Sequence, residues 1–323
     1  MYDYLSLRFE LPSPNTAGEV ALAASPAFEN CTESTDKQGW PLVRANYKNL
    51  RIEYKQGRYH GYVRGSLHTF LHGSNAGAFT AADVARACSE LAAALNLPAD
   101  VFEVRRLEVG VNLAVSKSPR EFLESLIKHK NRAFTALSPP SGKTRPLEFE
   151  ACYQTYRVKF YDKGEYSARQ GKPLAAGQDI LRFEVKFGKA VEAQKLTNRA
   201  RLTLADLPAP DVWAAFAKHL LKQWNAVIRR PEMNPSNFTF DDGLLLQSAD
   251  NSAFWDAYKA TTPPSTYKRK KARLRKLLAD VAEQVGPHPY DTLVVAQVEA
   301  LGATAAQMQR PKSDPFLSSC NQG

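Results

Sequence analysis

Three stretches of strict alternation restrict the fold of this chain more than any other feature. In Val101–Val115, Leu107, Val109 and Val111 point one way, and Arg106, Glu108, Gly110 and Asn112 point the other. In Tyr153–Lys163, Val158 and Phe160 oppose Arg157, Lys159, Tyr161 and Lys163. In 180–187, Leu181, Phe183, Val185 and Phe187 oppose Arg182, Glu184 and Lys186. Side chains of a strand alternate between its two faces, so each stretch predicts a strand with one core face and one polar face.

The same period runs through the N-terminus. Leu5, Leu7, Phe9 and Leu11 alternate with Tyr4, Ser6, Arg8 and Glu10 and stop at Pro12. Arg51–Tyr54 and Arg58–Arg64 flank Lys55-Gln56-Gly57 and predict a hairpin, with Ser66–Leu71 as a further strand. Residues 13–40 and 136–146 read as loops. Thr80 and Asp83 open a helix carrying Val84, Cys88, Leu91 and Leu95 on one face, closed by Asn96 and Pro98. Pro119–Lys130 reads as helical. From about residue 203 the period is helical: Val212 to Val227, then Lys268–Val285, then Asp291–Leu301. No internal repeat is visible. The expectation is an α+β fold, mainly an antiparallel sheet with flanking helices, over residues 1–202, followed by a smaller helical region over 203–323.

If the three best strands are neighbours, one sheet face gathers Glu108, Glu184, Tyr161, Asn112, Lys159, Lys163, Arg157 and Arg182. Two adjacent carboxylates suit a hard divalent cation, Mg²⁺ or Mn²⁺. A tyrosine beside such a metal and several cations has the parts for phosphodiester transesterification, because the cations offset charge developing on the phosphate while the phenolate attacks phosphorus. Alternating charges on a sheet face also form ordinary cross-strand ion pairs.

The formal net charge of the 323-residue chain is +10, which points to a polyanionic partner. The sharpest cluster is Lys268, Arg269, Lys270, Lys271, Arg273, Arg275 and Lys276, with no acid between Asp256 and Asp280. A solvated helix normally mixes both signs, so a run of one sign predicts contact with a DNA backbone. Gly73-Ser74-Asn75-Ala76-Gly77 is a polar loop whose backbone N–H groups suit a phosphate, but it lacks the lysine and spacing of a nucleotide-binding P-loop. The four cysteines form no CxxC pair, which predicts neither a zinc site nor a disulfide framework. No run of about 18 apolar residues predicts a membrane span, and no secretory signal is visible, so a cytoplasmic protein is expected.

Four strings occur in one order: GSLHTFLHGSNAGAFT at 65–80, RRLEVGVNLAV at 105–115, YRVKFYDKGEY at 156–166 and ILRFEVKF at 180–187. Together they resemble the replication initiation proteins of filamentous phages and, more distantly, plasmid rolling-circle initiators. The resemblance covers roughly residues 1–210. It implies an enzyme that nicks one DNA strand at an origin through a tyrosine, stays joined to the 5′-phosphate, and later rejoins the strand. It implies origin DNA, single-stranded or in a supercoiled duplex, as substrate, and a host helicase and polymerase as partners in a bacterial cytoplasm.

Carried over, the YDK tyrosine is Tyr161 and the acids are Glu108 and Glu184. Tyr161 shares the polar face with both acids and is the first nucleophile. Tyr156 is the second, although a regular strand turns it to the apolar face. Lys159 and Lys163 would assist, Arg182 would contact DNA, and Asn112 would be an accessory. Many rolling-circle nickases hold their metal with a His-hydrophobe-His triplet, which is absent here. His68 and His72 stand four apart, so His68 is only a possible accessory. The competing functions are a non-catalytic DNA-binding regulator, which needs the basic helix but not the acid–tyrosine set, and an RNA-binding module, for which no RNP-type string is present.

Overall fold

The computed structural model describes residues 2–10, 28–55, 60–137, 148–172, 174, 179–230, 238–249, 251–285 and 288–307. The expected turn at Gln56-Gly57, the loops over 13–27 and beyond 137, Gly177, Cys320 and the tail after Gln309 lie outside them.

The alternating stretches form one antiparallel sheet. Its strands are β1 (Tyr2–Glu10), β2 (Glu29–Thr35), β3 (Pro41–Tyr47), β4 (Leu50–Lys55), β5 (His60–Ser66), β6 (Glu103–Val115), β9 (Thr135–Leu137), β10 (Glu148–Cys152), β11 (Tyr156–Asp162) and β12 (Asp179–Phe187). Three short strands, β7 (Leu126–His129), β8 (Arg132–Ala133) and β13 (Val227–Arg229), form a separate sheet. The fold is α+β, as expected, with helices flanking the large sheet and a helical C-terminal region.

Some local readings change. Ser66–Leu71 is not a strand. Ser66 caps helix α1 (Leu67–His72) by accepting from Thr69 N, and Gly73 ends it in the left-handed region at φ 75°. Helix α2 (Ala81–Ala94) has the expected capping box from Thr80 and Asp83. The helix expected over 119–130 is only α3 (Arg120–Ser125), continued by β7. Lys163 does not extend β11 but opens α4 (Lys163–Arg169), capped by Asp162. Residues 29–35, read as loop, are strand β2.

The apolar faces of β1, β6, β11 and β12 are buried under helices. Val84, Cys88 and Leu91 of α2, Ala193 of α5 (Ala190–Thr197) and Phe216, Leu220 and Trp224 of α6 (Pro210–Trp224) pack there. So do Val294, Val298 and Leu301 of α10 (Pro289–Gln307). Helices α6 and α10 lie beyond residue 202, so the expected second region shares the first region's core. Among the described residues, α7 (Phe240–Gln247), α8 (Ser252–Thr261) and α9 (Pro264–Val285) build a separate core around Leu246, Trp255, Leu274 and Val281. Trp213 and Trp224 are core residues of the main layer.

The sheet contains a repeat that the sequence hides. The strand order is β2-β3-β4-β5-β1-β6-β12-β11-β10-β9. Read outward from the middle, β1 is followed by β5, β4, β3 and β2, and β6 by β12, β11, β10 and β9. β1 and β6 run antiparallel with Leu5 opposite Leu107, so a twofold axis normal to the sheet near that pair relates the halves. With Leu5 matched to Leu107, the strand pairings fix the corresponding positions. Ser6 faces Arg64 and Arg64 faces Arg51 in one half; Glu108 faces Lys186 and Lys186 faces Arg157 in the other. Leu5–Glu10 thus corresponds to Leu107–Asn112, and Arg51–Lys55 to Arg157–Tyr161. The apolar alternation survives in both halves because both bury one face. The polar residues differ, which is why no repeat shows in the letters.

Candidate active site on the polar sheet face

Arg182 organises the polar face of the second half. Its side chain is 0% exposed. Nε donates to Glu184 Oε1 at 2.7 Å, and the two terminal nitrogens donate to Asn112 Oδ1 and Asp3 Oδ2, each at 2.8 Å. A buried guanidinium requires such partners, because an unpaired charge in a low-dielectric interior is costly. Arg182 was expected to contact DNA. Enclosed in this way, it holds Asp3, Glu184 and Asn112 in place instead.

Asp3 had no sequence signal. Alternation alone puts it on the apolar side with Leu5 and Leu7, but the β1–β6 register breaks between Tyr2 and Leu5, and Asp3 reaches the polar face. The Ser66 hydroxyl donates to its Oδ1, and Asn75 Nδ2 to its Oδ2 at 2.7 Å. Burial raises its carboxyl, but Arg182 and these hydrogen bonds outweigh burial and hold it below the ordinary range.

Tyr161 lies opposite Arg182 in the β11–β12 pair, and its hydroxyl donates to Glu184 Oε1 at 3.0 Å. The alternation argument for Tyr161 and Glu184 therefore describes the observed geometry. Tyr161 is 4% exposed and Glu184 3%. Burial, and then the charge of Glu184, push the phenol well above its usual value, with Arg182 opposing. The Lys159 ammonium lies 4.8 Å from the ring centroid of Tyr161 and that of Lys163 6.0 Å. Lys159 pairs with Glu148 at 2.6 Å, and nearby carboxylates outweigh burial to keep it charged. Burial, then Arg182, pull Lys163 downward, and it donates to Asn75 Oδ1 at 2.5 Å.

Glu108 faces Lys186 across β6–β12 and is ion-paired to it. Burial and then the Glu184 charge raise its carboxyl, against the pull of Lys186. Gly110 separates Glu108 from Asn112 on β6 and faces Glu184. A Cβ there would stand 2.4 Å from Phe183 O and 2.8 Å from Glu184 Cγ. The glycine is thus what lets Glu184 lie over β6.

The Gly73–Gly77 loop closes the site. Asn112 Nδ2 donates to Asn75 O at 3.1 Å and to Ala76 O at 2.7 Å, so the loop is tied to the sheet. A cavity of about 280 Å³ lies between this loop and α4, lined by Asn75, Ala76, Lys163 and Tyr166 among others. The Tyr166 ring lies 5.2 Å from that of Tyr161. His68 is buried in α1, 1% exposed, with its ring 4.7 Å from that of Phe79. Its Nδ1 has no hydrogen-bond partner among the described residues. Burial lowers its pKa to about 4, so it is neutral at pH 7. It shares a helical turn, not a strand face, with His72.

Tyr156 is on the other side of the sheet, as alternation requires. It stacks on Tyr153 at 4.6 Å and accepts from Lys130 Nζ at 2.9 Å. It does not meet the Glu108–Glu184 pair. In the C-terminal helices, the basic run is partly spent on internal contacts. Arg273 donates to both oxygens of Asp242, at 2.8 and 2.9 Å, and Lys271 lies 3.8 Å from the Trp255 ring centroid. Lys268, Arg269, Lys270, Arg275 and Lys276 have no ion pair among the described residues.

Both carboxylates are ion-paired, Glu184 to Arg182 and Glu108 to Lys186, through one oxygen each. No group of three His, Cys, Asp or Glu able to cage a metal exists among the described residues. Mg²⁺ commonly takes only one or two protein carboxylates and fills its shell with water and substrate phosphate. Glu108 and Glu184, adjacent on neighbouring strands, fit that mode of binding.

Compared with known proteins, the chain matches no family model and no curated protein. Among solved structures it has a 10% identical match to the di-domain ARO/CYC BexL from the BE-7585A biosynthetic pathway, covering 73% of this chain and 100% of that one at a TM-score of 0.19. That score is too low to carry an argument about fold or function.

Proposed function

We propose that this protein cuts and rejoins one DNA strand through Tyr161, as a rolling-circle replication initiator. The observation that carries the reading is the Tyr161 hydroxyl bonded to Glu184, with Glu108, Lys159 and Lys163 grouped around it. In the step we envisage, the Tyr161 oxygen forms a bond to phosphorus and the P–O3′ bond breaks. The phenolic proton passes to Glu184, and the leaving 3′-oxygen takes a proton to become a hydroxyl. Because burial keeps the phenol protonated at neutral pH, a base already in contact with it is required, and Glu184 is in contact. The proton for the 3′-oxygen comes from solvent water. Lys159 and Lys163 would offset charge on the phosphate. Glu108 and Glu184 would hold Mg²⁺ or Mn²⁺, which would supply further charge neutralisation at the phosphate. The substrate would be origin DNA in a bacterial cytoplasm, with a host helicase and polymerase acting on the exposed strand.

The resemblance of the four ordered strings supports the same reading. One observation favours a second, a non-catalytic DNA-binding regulator: Tyr161 is nearly enclosed, and both carboxylates are already ion-paired. Cutting therefore requires the Gly73–Gly77 loop and α4 to admit a strand.

The test is covalent capture. The protein is incubated with Mn²⁺ and supercoiled DNA bearing its origin, denatured, and examined for protein on the 5′ end of a nick. An adduct that is lost in Tyr161→Phe and kept in Tyr156→Phe is expected. Loss only in Tyr156→Phe moves the chemistry to the other sheet face. No adduct with a verified, tightly bound origin favours the regulator.

A further inference from the structure

The twofold relation of the sheet identifies a second place on the polar face. In the first half, Ser6 stands where Glu108 stands in the second, Tyr62 where Glu184 stands, and Arg64 where Lys186 stands. These three counterparts line one groove of about 710 Å³, together with Glu103, Arg105, Arg106, Lys189 and the start of α5. One half carries acids at these positions, and the other a hydroxyl and an aromatic ring.

The groove is strongly basic for a local reason. The β1–β6 register breaks between Ser6 and Leu7, and the irregularity leaves both Arg105 and Arg106 exposed on the polar side. Arg64, Arg105, Arg106 and Lys189 then face a single acid, Glu103. Arg105 pairs with Glu103, and Arg64 with Glu53 outside the groove. Arg106 and Lys189 have no ion pair or hydrogen bond among the described residues. Cations left unpaired beside one another repel, and a phosphate chain relieves that repulsion. Tyr62 and the Arg64 guanidinium, 5.0 Å from its ring centroid, offer a flat surface on which a base can stack.

The groove also adjoins the Tyr161 site. Arg106 and Glu108 are two residues apart on one strand and on one face, so roughly 7 Å separates them. We propose that this groove binds the phosphate backbone of single-stranded DNA and leads that strand toward Glu108, Glu184 and Tyr161. The proposal rests on the strand-cutting reading for the identity of the strand, and on the groove alone for its chemistry.

The experiment measures binding of a fluorescent oligodeoxythymidine to the full chain by anisotropy over a range of salt. Arg105→Gln/Arg106→Gln is expected to weaken binding at least tenfold. It should also flatten the log–log salt dependence by about 1.4 for the two charges removed. Arg106→Lys, which keeps the charge, should retain most of the affinity. Both arginines are exposed, and a thermal melt of each variant reports on folding. Unchanged affinity and slope in the double variant overturn the proposal, as does a loss seen with a blunt DNA hairpin but not with the oligomer. The two readings separate cleanly. If binding falls as expected while the wild type never forms a covalent adduct, the groove stands and the cutting reading fails. If the wild type forms the adduct and the double variant binds normally, the cutting reading stands and the groove fails.

Discussion

Glu184 Oε1 accepts two hydrogen bonds at once, from Arg182 Nε at 2.7 Å and from the Tyr161 hydroxyl at 3.0 Å. One oxygen thus joins the buried ion-pair network to the candidate nucleophile. Anything that moves Arg182 also moves the carboxylate that faces Tyr161.

Replacing Arg182 by Met strands Asp3 and Glu184 as unpaired buried acids. Loss of one partner of a buried pair costs about 3–5 kcal/mol, and urea denaturation at pH 7 is expected to show a loss of that size. The loss should shrink on acidification, because the stranded carboxylates can take up protons. In the wild type the sign is opposite. Asp3 titrates below its ordinary 3.8, so its stabilisation is complete above that value and lost as pH falls through the lowered one. A small, pH-independent loss in Arg182→Met would refute the network.

Gly110→Ala places a methyl group against Phe183 O and Glu184 Cγ. Overpacking of this kind costs about 1–3 kcal/mol, and relief requires Glu184 to shift from Tyr161. Covalent adduct formation is expected to fall more than tenfold in protein that still melts cooperatively. A wild-type adduct rate would show that the Glu184 position does not govern the chemistry.

Three histidines, His68, His129 and His219, are each lowered by burial to about 4. They stay neutral in the folded chain while the unfolded chain protonates them near 6.5. Their contribution to stability is complete above 6.5 and lost as pH falls toward 4. Each adds up to about 1.4 kcal/mol per pH unit to the acid slope. His68→Phe, which keeps an aromatic ring against Phe79 and removes the unpartnered Nδ1, should make that slope shallower by one proton. Urea denaturation at several pH values reads this directly, and parallel curves would rule it out.

Converting Lys268, Lys270 and Lys276 to Gln should flatten the salt dependence of duplex binding by about 0.9 per charge, if α9 touches the backbone. Arg273→Gln should act differently. Its guanidinium is held by Asp242, so its loss should loosen the packing of α7 on α9 and increase proteolysis there, with little change in the salt slope. Equal slope changes for all four residues would contradict the internal role of Arg273.

The sequence alone determined the faces of the three central strands. Glu108, Glu184, Tyr161, Lys159 and Arg182 are together, and Tyr156 is apart, because side-chain direction on a strand is a local property with period two. The helix start at Thr80 and the helical period after residue 203 were legible for the same reason, since caps and periodicity act within a few residues. The tertiary structure decided what local rules leave open. Which strands neighbour one another, and hence the twofold repeat, depends on pairing between distant segments. Ser66–Leu71 became a helix because its alternation was too short to choose, while Leu67 and Phe70 found a core that a helix fits. Asp3 joined the site only through a break in the β1–β6 register, and Arg182 turned from an expected DNA contact into a buried organiser once three acceptors closed around it. A charge declares its sign in the sequence, but its partner is set by which chain folds over it.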